Sequence, residues 1–129
     1  MELYKKPIVV TQADIDIRSH VNNVRYVEWV QDIAQEHWDS KITKALEERF
    51  YWIMLSHHIT YKAEAILGDT LRLETFVTKA EGVRSTRQVR IYNNATDKLL
   101  TSSETIWCFM SHDTNRPTRI TEEIKSIFS

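Results

Sequence analysis

The apolar pattern of residues 23–38 places the strongest limit on what this chain can fold into. Apolar side chains recur there at 3.6-residue spacing on one broad face: Tyr26, Val27, Trp29, Val30, Ile33, Ala34 and Trp38. The pattern predicts a helix roughly 22–24 Å long, capped at its start by Asn22 or Asn23. Its apolar face is wider than a coiled-coil seam, which favours packing against a sheet that curls around it.

Most of the remaining apolar segments have the alternation of β-strands. Residues 3–11 predict an edge strand or a strand with a bulge, because Pro7 lacks an amide donor. Four more strands are predicted over residues 51–65, 71–78, 84–92 and 99–111, with a tight hairpin at Glu81-Gly82 and an end to the sheet at Pro117. Short helices are predicted over 42–49 and, capped by Thr121, over 122–128. Short connections imply antiparallel neighbours, so one helix against one sheet predicts an α+β fold.

Length and composition exclude several classes of protein. A chain of 129 residues predicts a single domain spanning residues 1–129. A net charge of −1 predicts neither a nucleic-acid nor a membrane partner. The single Cys108 excludes an internal disulfide and a multi-cysteine zinc site, and adjacent strand residues His57 and His58 point to opposite faces, so no metal is expected. With neither a secretory h-region nor a transmembrane segment, the expected location is the cytoplasm.

The polar segment directly before the helix is the main candidate for chemistry. The first amides of a helix have no partner within it and carry partial positive charge, so they polarise a carbonyl or stabilise an oxyanion. Asp16 lies just ahead of them, where a carboxylate can attack an acyl carbon or take a proton from water. The same residue types also cap helices and close turns. Both interpretations stay open on spacing alone.

The motif DxDxxSHVNNxxYxxW at residues 14–29 resembles the entry motif of hotdog-fold acyl thioesterases. It is similar to the 4-hydroxybenzoyl-CoA thioesterase-like branch and, more closely, to one domain of the fatty acyl-ACP thioesterases. A second match is YKAE at residues 61–64, followed by Gly68-Asp69. The resemblance implies a hotdog fold, in which a five-stranded antiparallel sheet wraps around one long central helix. It also implies a homodimer or homotetramer with active sites between subunits.

The resemblance assigns roles to individual residues. Asp16 matches the catalytic carboxylate, His20 the motif histidine, Glu64 the acid on the following strand, and the backbone N–H of Asn23 the oxyanion donor. Tyr26 of the same motif is expected to contact substrate. Without the resemblance, Glu64 is more simply a solvated strand end, and His20 serves equally to hold the loop through a backbone carbonyl.

Two positions depart from the family pattern. Arg18 stands where the acyl-ACP enzymes carry a catalytic asparagine, which shifts the expected chemistry to Asp16. Ser19 stands where many relatives have a glycine before the histidine. If that position needs a positive φ, serine is less favourable there than glycine.

Other side chains have a binding and a structural interpretation. Arg84 and Arg90 share one strand face and Arg87 the other, and all three are candidates to bind CoA phosphates or acidic residues of a carrier protein. A solvated sheet face is the alternative. His37 is expected in the core or near a subunit interface, and Cys108 in the core. The four tryptophans are expected in the core, at an interface or along an acyl tunnel.

The sequence therefore predicts an acyl thioesterase that hydrolyses acyl-CoA or acyl-ACP thioesters to free acid and thiol. No cofactor is expected, because a thiolate leaves readily. One alternative is a hotdog enoyl-thioester hydratase, although those relatives usually place an Asp/His pair five residues apart, and Asp16 and His20 are four apart. The other alternative is a non-catalytic acyl-binding protein that retains the fold.

Overall fold

The computed structural model describes residues 2–129, in which one long helix packs against a curled antiparallel sheet. The helices are α1 (Asn23–Lys41), α2 (Lys44–Arg49) and α3 (Glu122–Ile127). The strands are β1 (Tyr4–Val9), β2 (Phe50–Tyr61), β3 (Thr70–Glu81), β4 (Arg84–Asn93), β5 (Leu99–Ser111) and the two-residue β6 (Arg116–Pro117). The five long strands run in the order β1-β3-β4-β5-β2, and β6 pairs with β5. The predicted α+β arrangement is confirmed.

Helix α1 begins at Asn23, directly after a capping residue that the sequence predicted. The side-chain oxygen of Asn22, rather than Asn23, accepts a hydrogen bond from the Val24 amide at 3.0 Å. The helix continues three residues beyond the predicted end at Trp38. The prediction stopped early because these last residues are polar and do not extend the apolar period. Lys41 lies in the last turn, where the helix dipole favours a cation.

The buried face of α1 forms the centre of the core. It comprises Tyr26, Trp29, Val30, Ile33, Ala34, His37 and Trp38. Val27, predicted on this face, is only half-buried. The helix packs against Leu71 and Leu73 of β3 and Val89 and Ile91 of β4. Burying each such aliphatic side chain contributes about 1.5–3 kcal/mol, so this contact holds the helix against the sheet.

The two outer strands, β1 and β2, each pair with a single neighbour among the described strands. Pro7 lies in β1 opposite Arg72, which confirms the predicted edge strand. Strand β2 has an irregular register between Met54 and Ser56. An unpaired strand edge is a template for pairing with another chain.

Three boundaries differ from the prediction, refine it or confirm it. Strand β2 ends at Tyr61, so Glu64 lies in the connection to β3 and not on a strand. Pro117 is the last residue of the short β6, and no strand follows it among the described residues, so the predicted end of the sheet is confirmed. The hairpin of β3 and β4 turns at Gly82, whose φ of 63° is one that glycine adopts readily. No helix of residues 2–129 is long and apolar enough to cross a membrane.

Candidate active site

Residues 14–22 fold into a small hairpin that leads directly into α1. The Asp16 amide donates to the His20 carbonyl at 2.8 Å, and the Ser19 amide donates to the Asp16 carbonyl at 3.1 Å. Ser19, at the tip, has a φ of 64°. The position therefore needs the left-handed backbone that glycine favours, and a non-glycine residue there costs about 1–2 kcal/mol.

Asp14 anchors this hairpin to the rest of the fold. Its buried carboxylate accepts hydrogen bonds from the Thr11 amide at 2.8 Å and from Arg25 Nε at 2.7 Å. Burial acts to raise the pKa of Asp14, but the hydrogen bonds from Thr11 and Arg25 outweigh it and hold the pKa below its usual range. On the other arm, the Val21 amide donates to the Ala65 carbonyl at 3.0 Å. Hydrogen bonds therefore hold both arms of the hairpin to the rest of the fold.

The two carboxylate oxygens of Asp16 have different surroundings. Oδ1 accepts from the Arg18 amide at 2.8 Å and lies 3.4 Å from the His20 amide. Oδ2 lies 3.8 Å from Arg18 Nε and has no hydrogen-bond donor closer among the described residues. The side chain is 30% exposed. The turn-forming interpretation is therefore confirmed for Oδ1, while Oδ2 is accessible to another molecule.

Asp16, Arg18, His20 and Glu64 lie together at the surface, and we call them the loop cluster. Arg18 Nη2 donates to Glu64 Oε1 at 2.8 Å, which raises the pKa of Arg18. His20 Nδ1 lies 3.3 Å from Glu64 Oε2, although the two are not aligned for a good hydrogen bond. No backbone carbonyl of residues 2–129 accepts a hydrogen bond from the His20 ring. The structure thus brings three of the predicted catalytic side chains together and adds Arg18, which the sequence marked only as a departure.

The start of α1 leaves one amide without a partner. The Asn22 side chain accepts from Val24, and the Asn22 carbonyl accepts from the Arg25 amide at 2.9 Å. The Asn23 amide, at the first helical position, has no acceptor within the described part of the chain. It is an exposed donor at the positive end of the helix, as an oxyanion site requires.

Tyr26 is placed differently from the prediction that it contacts substrate. Its side chain is 1% exposed, and its hydroxyl accepts a hydrogen bond from the Ala65 amide at 2.9 Å. Burial raises the pKa of Tyr26. Tyr26 therefore holds the segment that carries Glu64 against the helix and does not reach a ligand at the surface. Tyr61, whose hydroxyl lies 3.4 Å from the Asn23 carbonyl, is the exposed tyrosine near the helix start.

The three arginines of β4 separate as strand alternation predicts. Arg84 and Arg90 are exposed on one face, whereas Arg87 is buried on the helix side. Arg87 Nη1 lies 2.9 Å from His37 Nδ1, and burial lowers the Arg87 pKa to about 10. The side chain of Arg87 points into the molecule and not to the outer face of the sheet, and its predicted contact with a phosphate or an acidic residue stays a prediction. None of the three hydrogen-bonds to the loop cluster.

A cavity of about 570 Å³ opens beside the C-terminal half of α1. Its lining includes the aromatic side chains of Trp38, Phe50, Tyr51, Trp52, Trp107 and Phe128, together with polar and charged side chains. The cavity and the loop cluster lie toward opposite ends of α1, since Asn23 and Trp38, 15 positions apart in the sequence, are separated by roughly 22 Å along the helix. Within one chain, the residues of the loop cluster therefore do not line this cavity. No group of three or more His, Cys, Asp or Glu in the described chain is arranged to hold a metal ion.

Solved structures with the same fold have thioesterase names. The probable thioesterase YbaW of Escherichia coli is 16% identical with a TM-score of 0.85, over 95% of this chain and 94% of that one. Slr0204 of Synechocystis, a 1,4-dihydroxy-2-naphthoyl-CoA thioesterase, is 15% identical with a TM-score of 0.84, over 98% and 95%. The 12:0-ACP thioesterase of Umbellularia californica is 14% identical with a TM-score of 0.85, over 98% of this chain and 51% of that one. These likenesses confirm the hotdog fold.

Comparison of sequences gives the family. A search of curated proteins finds no significant match. The model of the thioesterase-like superfamily matches residues 10–128, which include the hairpin, α1 and all the strands after β1. This match supports thioester hydrolysis as the general activity. The chain belongs to the thioesterase-like superfamily.

Proposed function

We propose that this protein hydrolyses acyl-CoA or acyl-ACP thioesters to a free acid and a thiol, with Asp16 as the catalytic carboxylate. The observation that carries the proposal is the pairing of an unbonded helix-start amide, at Asn23, with a carboxylate oxygen that the fold leaves open, in the hairpin leading to that helix. One group donates to a developing oxyanion, and the other supplies a nucleophile or a base.

In the reaction that we propose, the thioester carbonyl accepts a hydrogen bond from the Asn23 amide. Asp16 Oδ2 then either attacks the carbonyl carbon, to give a mixed anhydride, or takes a proton from the water that attacks it. The C–S bond breaks, the sulfur leaves as a thiolate and takes up a proton, and water supplies the second oxygen of the acid. His20 and Glu64 orient that water, and Arg18 reduces the repulsion between the carboxylates of Asp16 and Glu64.

The surface around the helix start supports an assembly of two or four identical chains. Ile17, Val24, Ile66 and Leu67 are exposed beside the loop cluster, with Ile17 fully so. The free edge of β2 also exposes apolar side chains. Apolar groups of this size are normally covered by a partner surface. We therefore propose a homodimer or homotetramer whose second chain covers the site, in the reducing cytoplasm that a single cysteine favours.

The test compares Asp16→Asn with the wild type in thiol release from a panel of acyl-CoAs of increasing chain length. We expect kcat/KM to fall by about 10²–10⁴-fold. The melting temperature should barely change, because an asparagine oxygen still accepts from the Arg18 and His20 amides. Asp69→Asn is the matched control, since Asp69 Oδ2 likewise accepts from a loop amide, that of Ile66 at 3.0 Å. Offering one acyl group on CoA and on a carrier protein then distinguishes the two substrate classes.

Each contrary outcome points to a different conclusion. Full activity in Asp16→Asn, with the panel hydrolysed normally, refutes the assignment of the carboxylate. Hydration of crotonyl-CoA without thiol release favours the hydratase. Binding of acyl-CoA by the wild type with no turnover of any substrate favours a non-catalytic acyl-binding protein, in which Asp16 only closes the hairpin.

A further inference from the structure

The cavity beside the C-terminal half of α1 has a buried guanidinium in walls that combine aromatic and polar side chains. Arg87 lines this cavity, although its side chain is only 6% exposed. Arg87 Nη1 donates hydrogen bonds to His37 Nδ1 at 2.9 Å and to Thr75 Oγ1 at 3.0 Å. The other guanidinium nitrogens have no acceptor within residues 2–129. A buried guanidinium with donors to spare is a costly group unless an acceptor approaches it.

The local charge near Arg87 is not neutralised within the chain. No carboxylate oxygen of the described residues lies within 4.0 Å of its guanidinium. His37 accepts at Nδ1, so its Nε2 carries the proton and donates to Glu2 Oε1 at 2.8 Å. The imidazole is therefore neutral, and burial lowers its pKa. Glu2 also pairs with Lys41 at 2.7 Å, so its carboxylate already has a cation of its own and does not contact Arg87.

The other cations of the cavity are already paired. Lys79 lies 3.0 Å from Glu81, and Lys125 lies 3.5 Å from Glu122. Among the lysines and arginines that line the described cavity, Arg87 alone lacks a carboxylate partner. An anion that enters the cavity therefore finds its unpaired cation at Arg87, not at these two lysines.

We propose that this cavity binds a monocarboxylate with an extended apolar body, whose carboxylate pairs with the buried guanidinium of Arg87. The volume of about 570 Å³ lies within the range of small-molecule sites. The aromatic side chains of the cavity contact the body of the ligand, and the guanidinium fork donates charge-assisted hydrogen bonds to its head. The site is independent of the proposed function, since the loop cluster lies toward the other end of α1 and binding is measured without turnover.

The test measures binding of decanoate to the full chain by calorimetry and by tryptophan fluorescence, with 1-decanol as the uncharged counterpart. Trp38, Trp52 and Trp107 line the cavity, so a ligand there changes the emission. We expect decanoate to bind at least tenfold more tightly than decanol. Arg87→Gln should remove this preference, because it should lower the affinity for decanoate at least tenfold and leave the affinity for decanol unchanged. Arg90→Gln, an exposed change on the same strand, should leave both affinities as they are.

Two results overturn the proposal. Equal affinities of the wild type for decanoate and decanol show that no cation recognises the head. Loss of the preference in Lys79→Gln but not in Arg87→Gln places the carboxylate at the mouth of the cavity instead. If Arg87→Gln does not fold, the wild-type preference and the Lys79→Gln variant still decide the matter. Failure of the Asp16→Asn experiment leaves these outcomes unaffected.

Discussion

The hydrogen bond between Tyr26 and Ala65 gives the sharpest test of how the site is built. Tyr26→Phe removes the only acceptor of the Ala65 amide in the described chain, and both residues are buried. The ring itself remains, edge-on to Trp29, so no cavity forms. The change therefore leaves one buried donor unsatisfied, which costs about 1–3 kcal/mol.

The expected change in melting temperature follows from this free energy and the entropy of unfolding, which scales with chain length. An entropy of unfolding of about 2.1 cal/mol/K per residue, over 129 residues, gives roughly 0.27 kcal/mol/K. Tyr26→Phe should therefore melt roughly 4–11 °C below the wild type, by circular dichroism at pH 7. The matched control is Tyr61→Phe, which loses an exposed hydroxyl 3.4 Å from its acceptor. Its melting temperature should fall by less than about 2 °C.

The same tyrosine predicts a dependence on alkaline pH. Burial raises the pKa of Tyr26 above its ordinary value of 10.0. The unfolded chain then ionises first, so the contribution of Tyr26 to stability is present below pH 10 and is lost as the pH rises further. The difference in stability between the wild type and Tyr26→Phe should shrink above pH 10. Equal melting temperatures for Tyr26→Phe and Tyr61→Phe at pH 7 would refute this account of the Ala65 amide.

Three further changes test local features. Ser19→Gly relieves a left-handed backbone and should stabilise the protein by about 0.5–1 kcal/mol in urea unfolding; a loss of stability contradicts the strain. Asn22→Ala deletes the cap on the Val24 amide and should cost about 1 kcal/mol, so an unchanged urea midpoint counts against it. Burial lowers the pKa of His37 below 6.5, so protonation of the unfolded chain destabilises the wild type as the pH falls below 6.5. His37→Gln should show a smaller acid-induced fall in melting temperature, and an equal fall contradicts the prediction.

The features that the sequence predicted well are those that neighbouring residues determine. The 3.6-residue period and the Asn22 cap locate the start of α1, because both act within one or two helical turns. Alternation along β4 separated Arg87 from Arg84 and Arg90 for the same reason. The end of β2 was missed because apolar residues continue to alternate in the sequence, at Tyr61, Ala63 and Ala65, after the ladder stops. The amides of residues 62 and 63 both donate to the Leu100 carbonyl, which breaks the register.

Tyr26 shows how two signals from one sequence can conflict. The family motif predicted contact with substrate, whereas the helical period placed Tyr26 on the same face as Trp29 and Val30. The structure follows the period, because a tyrosine on that face is buried and needs a partner for its hydroxyl. The link from Arg87 through His37 to Glu2 had no such local signal. Its members are 50 and 35 residues apart in sequence, and only the completed fold brings them together.

The structural and chemical interpretations of Asp16 depend on different atoms, so they are not exclusive. The backbone amides of Arg18 and His20 hold Oδ1, and a carboxylate fixed by amides needs little reorganisation before it reacts. The same contacts orient Oδ2 toward solvent and the Arg18 side chain. Asparagine keeps the first set of contacts and removes the charge, whereas alanine removes both. A large loss of activity in Asp16→Asn at an unchanged melting temperature therefore separates the chemistry of Oδ2 from the turn that Oδ1 closes.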